Sequence, residues 1–443
     1  MGEKMNIKYS KLGSNKSNGR VWIEGNNLTA AGFTEGTPYR RVDNLEGRQI
    51  ALFTELATDT DRKVTASKRN GKSRPIIDLN DSTITDIFGA APRVRVEFSQ
   101  GRIVITAHHE DTKKEAREAD FKRNYKGGML REASLFTGGA VSTEAIHQAL
   151  AEADLVKGGC KWVCEIEQKY IESAQDNAFC VDDNTAVIIG SVEEVEAQYF
   201  TGVDVLSFSM PCAGFSKAGK SKHKQTSEAH SGTTLFGTMT AIKAANPAIL
   251  ISENVAEAQN SPMYDLLRGE LSRMGYTIFE QILDGTHTGS IEQRKRYWMV
   301  AISSGIAPES FELPTVASNA TPISAIIEAD AQGWSMNEGL KAKAVRDAAA
   351  GKGFAKRQLL TGDETTCGTI GRFYAKNRST EPHIVRDDGM ERLFTPTEHA
   401  KVKSAPAHLI ANQVKTTAHE ILGQAVDYLQ PYNLTRALIS AIN

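Results

Sequence analysis

Apolar and polar positions along this 443-residue chain follow two different rhythms. Over roughly the first quarter, apolar residues alternate with polar ones, as in RVRVEF at 93–98 and RIVIT at 102–106. A period of two predicts half-buried strands. Sliding residues 23–48 along by 54 positions superimposes Ile23 on Ile77, Asn26 on Asn80, Thr29 on Thr83, Pro38 on Pro92, Arg41 on Arg95, Val42 on Val96, Gly47 on Gly101 and Arg48 on Arg102. Residues 1–107 therefore read as a duplicated, β-rich region, each copy a strand, a short helical turn, a proline turn and a strand pair. Binding of nucleic acid or protein is the task open to such a region. The next stretch, 108–129, is highly charged and ends in glycine, which predicts a linker that is part helical.

From Leu130 the rhythm changes. SLF, KWVCEI, AVIIG, DVLSFSM, AILISENV and YWMVAIS are continuous apolar runs of strand length, separated by helical patterns such as STEAIHQALAEADL and MYDLLRGELSRMG. Strands alternating with helices predict an α/β fold, a doubly wound sheet covered on both faces, whose ligands sit at the carboxyl ends of the strands. This core is expected over 130–304. Residues 305–390 break the rhythm and predict a second, small domain, and 391–443 return to the core with an apolar-faced terminal helix.

Composition narrows the setting. No apolar run approaches the roughly 20 residues of a membrane helix, and the first residues lack the apolar core of a secretory signal, so a cytoplasmic location without membrane association is expected. Five cysteines, at 160, 164, 180, 212 and 367, are odd in number and irregularly spaced, which argues against a disulfide framework. Cys160 and Cys164 have no second pair or histidine partner at zinc-finger spacing, so no metal is expected. Net charge is only −2, but Lys217, Lys220, Lys222, His223 and Lys224 crowd one segment, as where phosphates are touched. Lys63, Lys68, Arg69, Lys72 and Arg74 crowd another, for which a solvated loop explains as much.

The sharpest segment is SMPCAGFSKAGKSKHK. A strand ends just before Pro211 and delivers the Cys212 thiol to the sheet's carboxyl edge, beside a basic loop that favours the nucleophilic thiolate. AILISENV ends another strand on Glu253, either a helix cap or a group facing the same edge. SIEQRKRYWMVA puts Arg294 and Arg296 two positions apart on one strand face, suited to an acidic partner such as Glu253 or to phosphate.

Together these segments resemble the cytosine-5 DNA methyltransferase family over about residues 130–443. The family's order is matched by LFTGG at 135–139, Glu165, Pro211-Cys212 with Phe215-Ser216, Glu253-Asn254-Val255, Arg294 with Arg296, the Thr-Pro-x-Glu run at 395–398, and Gly423 with Ala425-Val426. The resemblance implies a Rossmann-like sheet binding S-adenosylmethionine and a target-recognition domain at 305–390. It implies double-stranded DNA as substrate, acted on by a monomer. The residues 1–107 are similar to the swapped-hairpin β units of bacterial transcription regulators.

By the same resemblance, Cys212 adds to carbon 6 of cytosine, Glu253 hydrogen-bonds ring nitrogen 3 and the 4-amino group, Arg294 holds the 2-oxo group and Arg296 orients it or meets phosphate. The base must be flipped out of the duplex, with Ser216, Lys217, Lys220, Lys222, His223 and Lys224 in the loop that closes over the gap. S-adenosylmethionine falls to Leu135, Phe136, Thr137, Gly138, Gly139, Glu165, Ile166, Val192, Pro211, Ala425 and Val426. The chain departs from the family at Ser134, Ala140, Val141, Ser191, Ala213, Glu292, Thr397 and Gln424, mostly around cofactor and DNA. Two other readings stay open, a transfer RNA cytosine-5 methyltransferase and a binding-only regulator built on the same fold.

Overall fold

The structure is a computed structural model that describes residues 5–16, 18–69, 72–89, 91–211, 224–312, 321–351 and 357–442, with the backbone alone at 69, 72, 224–232 and 286. The chain divides into two compact units, Met1–Ala116 and Arg117–Asn443.

The first unit is built from antiparallel strands. A six-stranded sheet runs in the order Asn6–Lys11, Arg93–Ser99, Arg102–Ala107, Gln49–Phe53, Pro38–Asn44, Arg62–Lys63, and a four-stranded sheet in the order Gly13–Asn15, Asn18–Glu24, Lys72–Asn80, Thr65–Arg69. The pairing register is symmetric with respect to the 54-residue shift. Ile23 pairs with Ile77, and Val21 with Leu79; Ile50 pairs with Ile105, and Ala51 with Val104. Exchanging the copies by the 54-residue shift maps each of these registers onto itself, so the two copies pair around a local two-fold axis. The alternating sequence buries one face of each strand, with Val94, Val96 and Phe98 meeting Ile23, Ile77 and Phe88 in one core.

Residues 108–129, expected as a charged linker that is part helical, hold one 18-residue helix, His109–Lys126. Its first half joins the first unit through Asp111 with Arg93 and Glu115 with Arg48. The second half is anchored in the second unit by polar groups. Buried Arg117 donates to Ser303 Oγ at 2.9 Å and the Met274 carbonyl at 2.7 Å, and Asn124 donates to both oxygens of Asp204. The same half also buries Phe121 in the apolar core with Leu130 and Ile146.

The second unit carries a seven-stranded sheet: β1 (Glu132–Leu135), β2 (Trp162–Glu165), β3 (Ala186–Ile189), β4 (Val205–Phe208), β5 (Ile249–Val255), β6 (Tyr276–Leu283) and β7 (Arg296–Ser303), in the order β3-β2-β1-β4-β5-β7-β6. All neighbours are parallel except β7, antiparallel to both β5 and β6. Strand order reverses between β1 and β4, and that switch point opens a crevice at the carboxyl ends where ligands bind in such sheets. Helices α1 (Val141–Glu152), α2 (Gln168–Asn177), α3 (Lys224–Ala245) and α4 (Pro262–Arg273) cover the faces. Successive strand residues go to opposite cores. Leu250, Met299 and Ala301 pack with α3 and α4, while Ile249, Ile251, Val300 and Ile302 pack with α1. Burial on both faces is what made these strands read as unbroken apolar runs.

Beyond β7 lies a small region with helix α5 (Glu338–Ala349) and a three-stranded sheet of β8 (Gln358–Leu360), β9 (Pro382–Val385) and β10 (Glu391–Arg392). The strand β10 falls just past the expected boundary at 390. This region has its own apolar cluster around Ile323, Ile370, Tyr374, Ile384 and Phe394. Helices α6 (Pro396–Val402), α7 (Lys415–Gln424) and α8 (Leu429–Ile442) close the chain, and α6 begins with a capping box between Thr395 and Glu398. No helix among the described residues is long and apolar enough to cross a membrane.

Candidate active site

The turn after β1 is built by backbone conformation. Phe136, Gly138 and Ala140 take positive φ angles of 57°, 56° and 63°. Such a turn exposes successive N–H groups at the sheet's carboxyl edge. Gly138 donates its N–H to Glu165 Oε2 at 2.7 Å, and the other oxygen of Glu165 accepts from Glu167 N at 3.0 Å. Thr137 N–H is held by the Cys164 carbonyl at 3.2 Å. Gly139 is required by packing, because a Cβ there would stand 2.4 Å from Ile421 Cγ2 on α7. The terminal segment thus lies on the turn although it is far away in sequence.

Around this turn Leu135 and Val192 are buried in the main core, Phe136 packs partly exposed against it, and Ile166, next to Glu165, is 63% exposed. No acid follows β3 at Ser191, but Ser191 and Thr234 hydroxyls both hydrogen-bond the carboxylate of Glu193 two residues on. The Ala425 carbonyl accepts from Lys403, and the Val426 side chain packs in the core with α1 and α8 rather than on the turn.

The second half of the site lies at the ends of β4, β5 and β7. Arg296 pairs with Val255 across β5–β7, which makes Glu253 its diagonal neighbour on the same face, and Arg296 Nε reaches Glu253 Oε1 at 2.8 Å. The other oxygen accepts from Ser209 Oγ at 2.8 Å. Glu253 therefore links the segment that leads to Pro211 with the start of β7. A cavity of about 30 Å³, room for a water, separates this carboxylate from the β1 turn and is lined by Phe136, Thr137, Ser207, Ser209, Glu253 and Trp298 among others.

Arg294 does not join Glu253. It is 6% exposed, donates to the Ile370 carbonyl at 3.2 Å and lies 3.5 Å from Glu292, while Gln430 holds its backbone carbonyl at 2.9 Å. Pro211 is exposed at the end of the β4 segment. Cys212, Ser216, Lys217, Lys220, Lys222 and His223 lie outside the described residues, as does the side chain of Lys224, the first residue of α3.

The sequence reading passed over three features. Asn254 donates its amide to the Met210 carbonyl at 3.0 Å, fixing the backbone two residues before Cys212; its place in the Glu-Asn-Val run was the available signal. Phe373, 39% exposed, has Arg372, Lys376 and Arg378 over its ring at 5.7, 4.4 and 5.1 Å. Lys403 is wholly buried, which nothing in the polar run around it announces. Among the described residues, no group of three or more His, Cys, Asp or Glu is arranged to hold a metal.

Known proteins resemble this chain in sequence or in fold. Type II methyltransferase M.MspI of Moraxella sp is 25% identical over 244 residues, 54% of this chain and 57% of that protein. Type II methyltransferase M.NlaX of Neisseria lactamica is 24% identical over 255 residues, 56% of this chain and 78% of that protein. This chain thus spans little more than half of the Moraxella protein's length. Two crystal structures share the fold: the Dnmt2 methyltransferase of S. pombe, at 15% identity and TM-score 0.52 over 71% of this chain and 98% of that one, and the methyltransferase EhMeth of Entamoeba histolytica, at 14% identity and TM-score 0.56 over 71% and 99%. The sequence profile of the C-5 cytosine-specific DNA methylases matches residues 130–442. The chain belongs to the family of C-5 cytosine-specific DNA methylases.

Proposed function

We propose that this chain transfers a methyl group from S-adenosylmethionine to carbon 5 of a flipped-out cytosine in duplex DNA, with Cys212 as covalent nucleophile. The observation that carries the reading is the Glu253 carboxylate at the carboxyl edge, fixed by Arg296 and by Ser209, which lies on the segment that leads into Pro211-Cys212.

The turn at 135–139 fits a nucleoside cofactor. Gly138 and Gly139 bring backbone close without side chains, Phe136 offers an apolar surface, and the Glu165 carboxylate retains lone pairs for ribose hydroxyls. Leu135, Thr137, Ile166, Val192, Pro211 and Ala425 complete the set assigned to that ligand. S-adenosylmethionine, when bound, supplies an electrophilic methyl group.

The protein's own residues do the rest. Cys212 enters as a thiolate; its S–C6 bond forms as the ring's double-bond electrons move to carbon 5, which becomes nucleophilic. Glu253, protonated when the base is bound, favours this by donating a hydrogen bond to nitrogen 3 and selects cytosine by accepting from the 4-amino group, while Arg294 meets the 2-oxo group and Arg296 holds Glu253 in place. Loss of the carbon 5 proton to a base then expels the thiolate, leaving 5-methylcytosine.

Relatives named type II methyltransferases favour DNA over RNA and suit a restriction-modification setting in the cytoplasm. The small region at 305–390, with its cation-ringed Phe373, is assigned the reading of target sequence, and Ser216, Lys217, Lys220, Lys222, His223 and Lys224 the closing loop. The unit acts on DNA as a monomer, and residues 1–107 add a nucleic-acid- or protein-binding surface. The test is transfer of labelled methyl groups from S-adenosylmethionine to mixed-sequence duplex DNA or to total transfer RNA. Label in DNA cytosine, lost in Cys212→Ala, is expected. Label confined to RNA moves the substrate to the runner-up, and none in either leaves a binding-only protein.

A further inference from the structure

Three segments distant in sequence meet at one buried ammonium. Lys403, just after α6, is fully buried, and its Nζ donates to Glu292 Oε2 at 2.7 Å and to the Ala425 carbonyl at 3.0 Å. Glu292, also fully buried, accepts the Ile370 N–H at Oε1 at 2.8 Å. The same oxygen lies 3.5 Å from Arg294 Nη1. The Arg294 Nε is buried and has no hydrogen-bond partner. One carboxylate therefore stands between two cations, close to Lys403 and looser to Arg294.

A buried carboxylate keeps its charge only while a cation compensates it, since stranding one partner of such a pair costs several kcal/mol and replacing both is often neutral. If Lys403 were absent, Arg294 would be the remaining cation for Glu292. We propose that Glu292 and Lys403 are a charge-balancing positioning pair: Lys403 satisfies Glu292 and so leaves the Arg294 guanidinium available to the cytosine ring. This rests on the reading of Arg294 as the group that meets the 2-oxo atom. Glu292 is one of the positions at which this chain departs from the family pattern, and Lys403 is the cation that compensates it. The second bond of Lys403, to Ala425, ties the same pair to the segment beside the β1 turn.

The surroundings make the pair readable by pH. Burial and the neighbouring Arg294 push the Lys403 ammonium down to about 8, against the pull of Glu292. Glu292, which burial alone would raise, is held below its ordinary value by Lys403 and Arg294. The other charged or titratable groups facing the pair are Arg296, His399, Cys367, Asp427 and Glu381. Burial shifts Cys367 up and His399 down, away from the assay range, and raises Asp427 only to about 6. Loss of the Lys403 proton near pH 8 would hand Glu292 to Arg294 and slow the reaction.

The experiment uses the full-length chain as wild type, Lys403→Gln, Glu292→Gln and the double variant, with kcat, duplex affinity, thermal midpoint and the pH profile measured for each. Lys403→Gln is expected to lose about tenfold or more in kcat, a barrier change near 1.4 kcal/mol, with duplex affinity within about threefold. The double variant is expected to regain most of that loss, and to lack the fall in kcat above pH 8 that is expected of wild type. A double variant no faster than Lys403→Gln, or an alkaline fall unchanged in it, overturns the proposal. Should Lys403→Gln not fold, the pH profile of the double variant decides alone. A wild type that transfers no methyl group contradicts the catalytic reading instead; the pair is then judged by thermal midpoints, where the double variant must unfold above both singles.

Discussion

Glu253 and Glu292 are both carboxylates beside an arginine in the same unit, yet they are held differently. Glu253 stands at a strand end, its side chain 11% exposed, gripped by a serine and an arginine from neighbouring segments. Glu292 has no exposure and is bound to Lys403, which has none either. The first position keeps a charged oxygen where a substrate can reach it; the second spends its charge inside the protein, joining segments. A carboxylate beside an arginine is thus not one kind of residue, and solvent access separates the group proposed to react from the one proposed to align it.

The largest expected effect that sharpens this contrast is on Glu253. Removing a group that assists proton transfer costs about 10² to 10⁴ in rate, so Glu253→Gln should lose at least 10²-fold in kcat while its thermal midpoint stays within a few degrees of wild type. An unfolded Glu253→Gln protein would place Glu253 with the interior group and break the comparison.

The interior also carries a neutral pair. His399 and His419 face each other with their Nδ1 atoms 3.0 Å apart, and burial, with Lys415 nearby, pushes His419 down to about 4. The unfolded chain takes up a proton near pH 6.5 that the folded chain refuses until about 4. Stability from this group is therefore complete above pH 6.5 and is lost as pH falls towards 4, by about 3 kcal/mol. His419→Gln, which has nothing to protonate, should flatten that limb in urea unfolding measured from pH 7 to 4; an unchanged limb would assign it elsewhere.

Smaller effects are expected on the β1 turn and on Asn254. Gly139→Ala places a methyl group against Ile421, an overpacking worth about 1–3 kcal/mol, and should weaken S-adenosylmethionine binding by calorimetry more than it slows turnover at saturation. Asn254→Ala removes the tie to Met210 and should lower kcat by about tenfold, an effect near 1.4 kcal/mol, with cofactor affinity unchanged. Equal losses in both variants would mean that the two halves of the site do not act separately.

Much of this architecture is readable from the chain itself. Buried parallel strands announce themselves as apolar runs, and the register that pairs Ile23 with Ile77 is symmetric under the 54-residue shift on which the duplication was read. The Glu253–Arg296 pairing was legible because both residues end or begin adjacent strands. Lys403 was not, because a lysine in HAKVKSAP carries no mark of burial; only the approach of Glu292 from another segment makes its position tolerable. The helix His109–Lys126 was legible only in part, as a part-helical linker, since Arg117 and Asn124 hold it through polar contacts that apolar periodicity cannot reveal. Sequence patterns report what hydrophobic burial selects; charges buried in pairs are seen only when both partners are placed.

The central claim, a covalent bond between Cys212 and cytosine in DNA, is tested most directly by trapping it. Duplex DNA carrying 5-fluorocytosine cannot lose its carbon 5 substituent as a proton, so after methyl transfer the thiol adduct should persist. A complex that survives denaturing electrophoresis and requires S-adenosylmethionine, and that is absent with Cys212→Ala, is the predicted result. Methylation of ordinary duplex DNA at cytosine with no trapped complex, or a complex that survives Cys212→Ala, would contradict it.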